Sequence, residues 1–247
     1  MRILVVNVNT TASVTEAIVA SARAVAAPGT EIVGITPEFG AESVEGNLES
    51  YLAAVGMADA VSRLLRAGEP FDAVVQAGYG EHGREALQEL LDVPVVDITE
   101  AAAATAMYLG HRYSVVTTLD RTVPLIADRL LLAGLDRRCA SVRASGLAVL
   151  ELEQEPQRAV AAIVEQARLA IDEDRAEVIC LGCGGMAGLE DHVRAETGVP
   201  VVDGVPAAVT VAESLVRQGL TTSKVRTYAA PRPKRISGFP LAGGEAT

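Results

Sequence analysis

The stretch "AEVICLGCGG" at residues 176–185 matches "FDAVVQAGYG" at residues 71–80 position for position, at an offset of 105 residues. Each is a short apolar run closing on glycine, the pattern of a buried strand that ends in a tight turn. Each is followed by a helical pattern and then by "VPVVD", at 93–97 and at 199–203, with one residue inserted in the second copy. The segments after these, "ITEAAAATA" and "GVPAAVTVA", are again alike, and so are the earlier runs "ILVVNVN" and "YSVVTTL". The chain therefore encodes two similar halves, which predicts two α/β units related by a pseudo-twofold axis.

Between these landmarks strand and helix patterns alternate. After the strand "RILVVNV", Ser13-x-x-Glu16 reads as a capping box opening a helix that places Val14, Ile18, Ala22 and Val25 on one face. Pro28-Gly29 ends it, and "EIVGI" is the next strand. "YLAAVGMADAVSRLLRAG" is an amphipathic helix, "REALQELL" a short one, and residues 100–109 a further one before the strand "RYSVVTTL". "RTVPLIADRLLLAG" carries proline in its first turn and glycine at its end, as helices do. After the strand "ASVRAS" come a long helix over 156–172, the repeated strand pair and a last helix near 207–218. Alternation of this kind predicts mainly parallel sheets with right-handed crossovers, in two Rossmann-like domains. We place the first domain at 1–99 plus 210–247 and the second at 100–209.

With 247 residues the chain is long enough for such a core. Apolar residues make up 49% and aromatics only 3%, so that core is built from Ala, Val, Leu and Ile. A formal net charge of −11 without a basic run argues against nucleic acid as a partner; the "RPKR" cluster at 232–235 reads as an exposed tail. No apolar stretch approaches the roughly 18 residues of a membrane span, and the opening residues lack the form of a signal peptide. An odd count of three cysteines then suggests free thiols in the cytoplasm rather than a disulfide framework. The three histidines, at 82, 111 and 192, show no metal-ligand spacing, and no G-x-G-x-x-G or P-loop supports a nucleotide cofactor.

In parallel sheets ligands bind beyond the carboxyl ends of strands. The expected lining is Asn7 and Asn9, Gly78, Tyr79, Gly80 and Glu81, Thr117 and Thr118, and Gly182 to Gly185. Asn9, Thr10, Thr117 and Thr118 carry neutral donors suited to an imide, ureide or carboxylate and to a developing enolate oxygen. Asn7 and Thr10 also suit turn and helix caps, and both roles can coexist. Gly182, Gly184 and Gly185 read as backbone that lets amides approach a substrate.

"NVNTTASVTEAI", "SVEGNLESYLAA", "VVTTLDRTVPLI", "LGCGGMAGL" and "GLTTSK" resemble, almost end to end, the hydantoin/allantoin racemase branch of the aspartate/glutamate racemase superfamily. The resemblance implies two α/β domains around an active-site cleft, a small-molecule substrate, no cofactor and a homo-oligomer. It also implies a two-base reaction in which one cysteine on each half flanks a carbon next to a carbonyl. The second-half cysteine is Cys183; the first-half position falls on Gly78, where "G-Y-G-E-H-G" stands for the family's "C-F-G-D-P-G". The internal repeat also sets Gly78 opposite Cys183.

Cys183 is thus the candidate acid/base, against the alternative of a small residue at a tight turn. Cys180 reads as core and Cys139 has no catalytic context. His82 is the candidate for the missing base, with Tyr79, Glu81 or a water held by Glu81 as alternatives; Glu81 and His82 could instead cap the helix starting at Arg84. Three functions follow: a cofactor-independent racemase of 5-substituted hydantoins or related cyclic ureides, a single-cysteine decarboxylase resembling arylmalonate decarboxylase, and a catalytically silent binding protein.

Overall fold

The computed structural model describes residues 1–234; of the basic tail cluster, residue 235 lies outside them. Its strands form two four-stranded parallel sheets of identical order. The first contains β1 (Arg2–Asn7), β2 (Glu31–Ile35), β3 (Ala73–Ala77) and β4 (Val95–Asp97), ordered β2-β1-β3-β4. The second contains β5 (Tyr113–Thr117), β6 (Cys139–Ala144), β7 (Val178–Leu181) and β8 (Val201–Asp203), ordered β6-β5-β7-β8. The repeat found in the sequence is therefore a repeat of topology, with β3 and β7 at equivalent places.

The helices are α1 (Ala12–Val25), α2 (Asn47–Arg66), α3 (Arg84–Leu90), α4 (Ile98–Leu109), α5 (Val123–Leu132), the short α6 (Glu151–Gln154), α7 (Pro156–Asp172), α8 (Glu190–Thr197) and α9 (Gly204–Arg217). Strand periodicity sorts the core. Leu4, Val6 and Val74 turn to one face and pack with Met57 and Val61 of α2 and Leu87 of α3. Ile3, Val5 and Val75 turn to the other, onto α1, α4 and α9. In the second sheet Val115, Val178 and Cys180 share that inner core, while Val116, Ile179 and Leu181 pack with α7 and α8. Cys180 is fully buried, as its mid-strand place required.

The halves meet along α4 and α9. Ala101, Ala102, Ala103 and Ala106 of α4 are all buried there, which places this Ala-rich helix inside the chain. The approach is close: a Cβ on Gly204 would lie 2.5 Å from the Ile98 carbonyl oxygen. The paired "VPVVD" segments now have a reason. Asp97 N-caps α4 by accepting from Glu100 N at 2.8 Å, and Asp203 N-caps α9 by accepting from Val205 N at 2.9 Å. Each also reaches the other half, Asp97 to Arg129 of α5 and Asp203 to Ser21 of α1.

Two expectations need correction. The Ser13-x-x-Glu16 capping box does not form: α1 starts at Ala12 with Thr11 before it and no side-chain cap. Asn7 and Asn9 already occupy that turn, Asn9 Oδ1 accepting from Thr11 N at 3.0 Å, and Ser13 instead bonds Glu153 across the cleft. Helix α2 also begins earlier than its apolar stripe, at Asn47, because Gly46 supplies the extended entry residue.

Candidate active site

The ends of β1, β3, β5 and β7 open onto one cleft between the halves. It is lined after β1 by Val8 and Asn9, after β3 by Gly78, Tyr79 and His82, and after β7 by Gly182 to Gly185. Thr117, Thr118 and Thr122 line it from the β5 end, and Asn7 from the last position of β1. Val14, Ile18, Val44 and Val149 make up much of its apolar surface.

The polar groups around β1 are pre-set by one another. Asn7 Nδ2 donates to Asn9 Oδ1 at 2.8 Å and to Thr15 Oγ1 at 3.0 Å, while Asn9 N donates to Asn7 Oδ1 at 3.2 Å. With its Oδ1 engaged by Asn7 and Thr11, Asn9 has its amide nitrogen aimed the other way, as a donor. On the second half Thr117 donates to the Gly182 carbonyl at 3.0 Å, which ties the β5 end to the turn bearing Cys183.

Cys183 leads that turn. Its extended backbone precedes a single helical turn over Gly184–Met186, and Gly185 N donates to its Sγ at 3.4 Å. Burial pushes the thiol up to about 11, Glu45 and Asp203 push the same way, and the Gly185 and Met186 amides pull it down. Burial outweighs the amides, so the thiol is protonated at neutral pH. Cys139 is also pushed to about 11 by burial, but it lies at the start of β6 and outside the cavity lining.

On the facing half, a Cβ at Gly78 would lie 2.3 Å from Val8 Cγ1 and 2.6 Å from His82 Cδ2. His82 is buried, with Nε2 3.1 Å from the Tyr79 carbonyl and Nδ1 2.9 Å from Ser50 Oγ. Burial pulls its pKa down to about 4, the Tyr79 carbonyl and Asp97 raise it, and Arg129 lowers it. Tyr79 lines the cleft, but its hydroxyl is buried without a hydrogen-bond partner among the described residues, and burial drives its pKa well above the phenolic range.

Thr10, Gly80 and Glu81 are not part of the cavity lining. Thr10 N donates to the Ala41 carbonyl at 3.0 Å and Gly80 N to Thr99 Oγ1 at 2.9 Å. Glu81 turns its carboxylate to Arg129 Nη1 at 2.9 Å and to Gly83 N at 3.3 Å. The alternative that Glu81 and His82 cap α3 holds in part: Glu81 accepts from the N–H of Gly83, the N-cap residue, while His82 turns its ring to Ser50 and Tyr79. Among the described residues no group of three or more His, Cys, Asp or Glu is arranged to hold a metal ion, and no helix is long and apolar enough to cross a membrane.

Ser50 and Arg129 are the site residues that sequence reasoning passed over. Ser50 lies in the buried stripe of α2 with Ala53, Met57 and Val61. A lone serine in that apolar spacing was the available signal. Arg129, 2% exposed, binds four carboxylates: Glu81 and Glu85 through Nη1, Asp97 and Glu100 through Nη2. No spacing in the chain announces that cluster.

Residues 3–212 match the family model described as Asp/Glu/Hydantoin racemase. The chain is 42% identical over 240 residues to a hydantoin racemase of Rhizobium meliloti, covering 96% of this chain and 98% of that one. A crystal structure of allantoin racemase from Pseudomonas fluorescens is 76% identical and superposes with a TM-score of 0.93, covering 96% of this chain and 100% of that one. An allantoin racemase from Klebsiella pneumoniae is 43% identical, with a TM-score of 0.92 and 96% of each chain covered.

Proposed function

The chain belongs to the Asp/Glu/hydantoin racemase family, and from that premise we propose that it racemises 5-substituted hydantoins, allantoin among them, without a cofactor. The carbon that inverts lies next to a carbonyl, so removal of its proton leaves an enolate. Asn9, Thr117, Thr118 and the amides of Gly182 to Gly185 are the groups we assign to the ring's carbonyl and imide edges and to the charge that develops on oxygen. Gly78 and Tyr79 form the wall against which the ring rests.

Cys183 is the proton-transfer group for one face and His82 for the other. The observation that carries this is that one cavity is lined by both, from the equivalent ends of β7 and β3. The resting proton count suits both directions. A neutral imidazole with a thiol accepts from one enantiomer and donates to its opposite face. The imidazolium with a thiolate serves the other enantiomer and holds the same single mobile proton. We further propose a cytoplasmic homo-oligomer, tested by gel filtration, and a domain division with 1–99 and 210–247 in the first domain and 100–209 in the second; residues 235–247 of that division lie outside the described residues.

The reaction is tested in deuterium oxide with single enantiomers of allantoin and other 5-substituted hydantoins. Loss of optical rotation with one deuteron gained at the ring carbon is the expected result, with Cys183→Ala inactive. Carbon dioxide release from arylmalonates would replace the racemase with the decarboxylase, and no turnover across the panel would leave only a binding protein. Full activity in Cys183→Ala would overturn the assignment of the thiol.

A further inference from the structure

Gly78 and His82 share one space. A side chain at position 78 would start 2.6 Å from the imidazole Cδ2 and be hemmed in by both methyls of Val8, at 2.3 and 2.9 Å. The loop returns His82 to this place through Gly80 and Gly83, whose φ values of +122° and +79° favour glycine. Where the repeat sets a thiol on the second half, the first half therefore presents an imidazole edge carried by a residue four positions further on.

The ring's partners define what it can hold. The Tyr79 carbonyl is only an acceptor, so the Nε2 facing it carries a proton. Ser50 has one hydroxyl proton and two neighbours that compete for it: Nδ1, and the Glu81 carbonyl, to which Ser50 Oγ is hydrogen-bonded. When Ser50 donates to Glu81, it turns a lone pair to Nδ1, and Nδ1 must then carry a proton as well. Every group in the chain is satisfied only with the doubly protonated ring: Nε2–H to Tyr79, Nδ1–H to Ser50, and Ser50 O–H to Glu81. With the neutral ring, Ser50 turns its proton to Nδ1 and the Glu81 carbonyl loses it.

We infer that Ser50 is a positioning residue for proton transfer on the wall opposite Cys183: by linking Nδ1 to the Glu81 carbonyl, it lets His82 hold a second proton. The linkage stands on the hydrogen-bond geometry, and its consequence for catalysis rests on the racemase reading. Burial opposes the charged ring, and so does Arg129 of α5; Asp97 at the end of β4 favours it. Val8 and α2 contribute no charge within the ring's hydrogen-bond contacts, so Ser50 is the adjustable element. Both ring nitrogens face protein groups and the edge beside Gly78 is Cδ2, so transfer to the cleft would require a half-turn of the ring about Cβ–Cγ, which gives up the bonds to Ser50 and Tyr79 while Ser50 keeps its bond to Glu81. The proton given to the substrate leaves His82 neutral, and the one taken from the other face resides on Cys183, so the step balances.

The test is the titration of the His82 ring in the full-length protein labelled with ¹⁵N-histidine, assigned by its loss in His82→Gln. The wild-type ring is expected to titrate at about pH 4 with Nδ1 gaining the proton. In Ser50→Ala the midpoint falls by about one pH unit, the size of a hydrogen bond to a charged group. Ser50→Cys, which keeps the volume and is a poor partner, behaves like alanine, whereas Ser50→Thr stays near wild type. An unchanged midpoint in Ser50→Ala and Ser50→Cys, or a wild-type ring whose Nδ1 gains no proton before the protein unfolds in acid, overturns the inference. If the protein racemises hydantoins, the acid limb of kcat/KM moves down by the same amount in Ser50→Ala. Because the equilibrium constant of a racemisation is one, kcat/KM is equal in the two directions and a single profile suffices. A purely structural role would lower the plateau and leave the limb in place. Failure of the wild type to racemise would count against the function and leave the ring titration to decide on Ser50.

Discussion

Replacing Arg129 with methionine removes the counter-charge of a cluster that joins the halves. Its Nη1 lies 2.9 Å from Glu81 and 2.7 Å from Glu85, and its Nη2 2.8 Å from Asp97 and 2.6 Å from Glu100. Methionine fills much of the stem volume, so the loss is chiefly electrostatic. Arg84 would then be left with three of the four carboxylates, at 3.0 Å from Glu85, 3.7 Å from Asp97 and 2.6 Å from Glu100. Glu81, Glu85 and Glu100 keep side-chain exposures of 32, 39 and 27% and can rehydrate; Asp97, at 0%, cannot. Stripping one partner from a buried pair costs about 3–5 kcal/mol, and with Arg84 partly compensating Asp97 we expect about 3 kcal/mol at pH 7. Urea unfolding followed by circular dichroism measures it, as a lower midpoint. The pH dependence separates charge from packing. Burial would raise Glu85, but its hydrogen bond to Arg129 and the arginine's charge overcome this and hold it at about 2. A depressed carboxylate contributes stability that is complete above its unfolded pKa near 4.5 and is lost as pH falls toward 2. Wild type loses that contribution over this window and the variant, left with only the backbone bond and Arg84 to depress Glu85, has less of it to lose, so the gap between them narrows as pH drops from 4.5. A gap below about 1 kcal/mol at pH 7, or one that persists undiminished at pH 3, would refute the reasoning.

Two further outcomes follow from the cleft. Gly78→Ala forces a methyl against Val8 and His82 and should cost about 2 kcal/mol in thermal or urea unfolding, within the usual range for overpacking; adding Val8→Ala should recover much of it, and an undiminished Tm in the single variant would contradict the contact. In a Cys139→Ser background, iodoacetamide should alkylate Cys183 at pH 8 roughly a hundredfold more slowly than a free thiol, because burial has moved it to about 11. The rate should climb steeply as pH approaches that value, and a free-thiol rate at pH 8 would show the thiol to be activated rather than suppressed.

The fold was legible because it is stated twice. Two copies of a strand, helix and "VPVVD" module set the sheet order, and the period-two burial of Ile3, Val5 and Val75 against Leu4, Val6 and Val74 follows from the strands themselves. Local signals failed where a longer contact claimed the same atoms. Ser13 and Glu16 have the spacing of a capping box, yet Ser13 is held by Glu153 from the other half, 140 positions away. Arg129 gave no sign either. On α5 it reads as an exposed arginine of an amphipathic helix, and only the meeting of Glu81, Glu85, Asp97 and Glu100 from the first half makes it buried.

The opposing walls of the cleft show where one-dimensional reasoning stops. Alignment of the repeat pairs Gly78 with Cys183 and so reads position 78 as a loss. In three dimensions the space is filled: Val8 supplies two methyls and His82 an imidazole edge, and a Cβ at residue 78 would force them to shift. Glycine at 78 leaves the room that the ring of His82 takes, and the positive-φ glycines at 80 and 83 double the loop back. Ser50 completes the arrangement from a helix whose pattern reads as core packing. The symmetry of the backbone was inherited by both halves, and the chemistry was not: a thiol on one wall with Gly185 N at its sulfur, an imidazole on the other held through Ser50. A thiol and an imidazole take different hydrogen-bond partners, so the two strand ends, alike in topology, differ in the residues just beyond them.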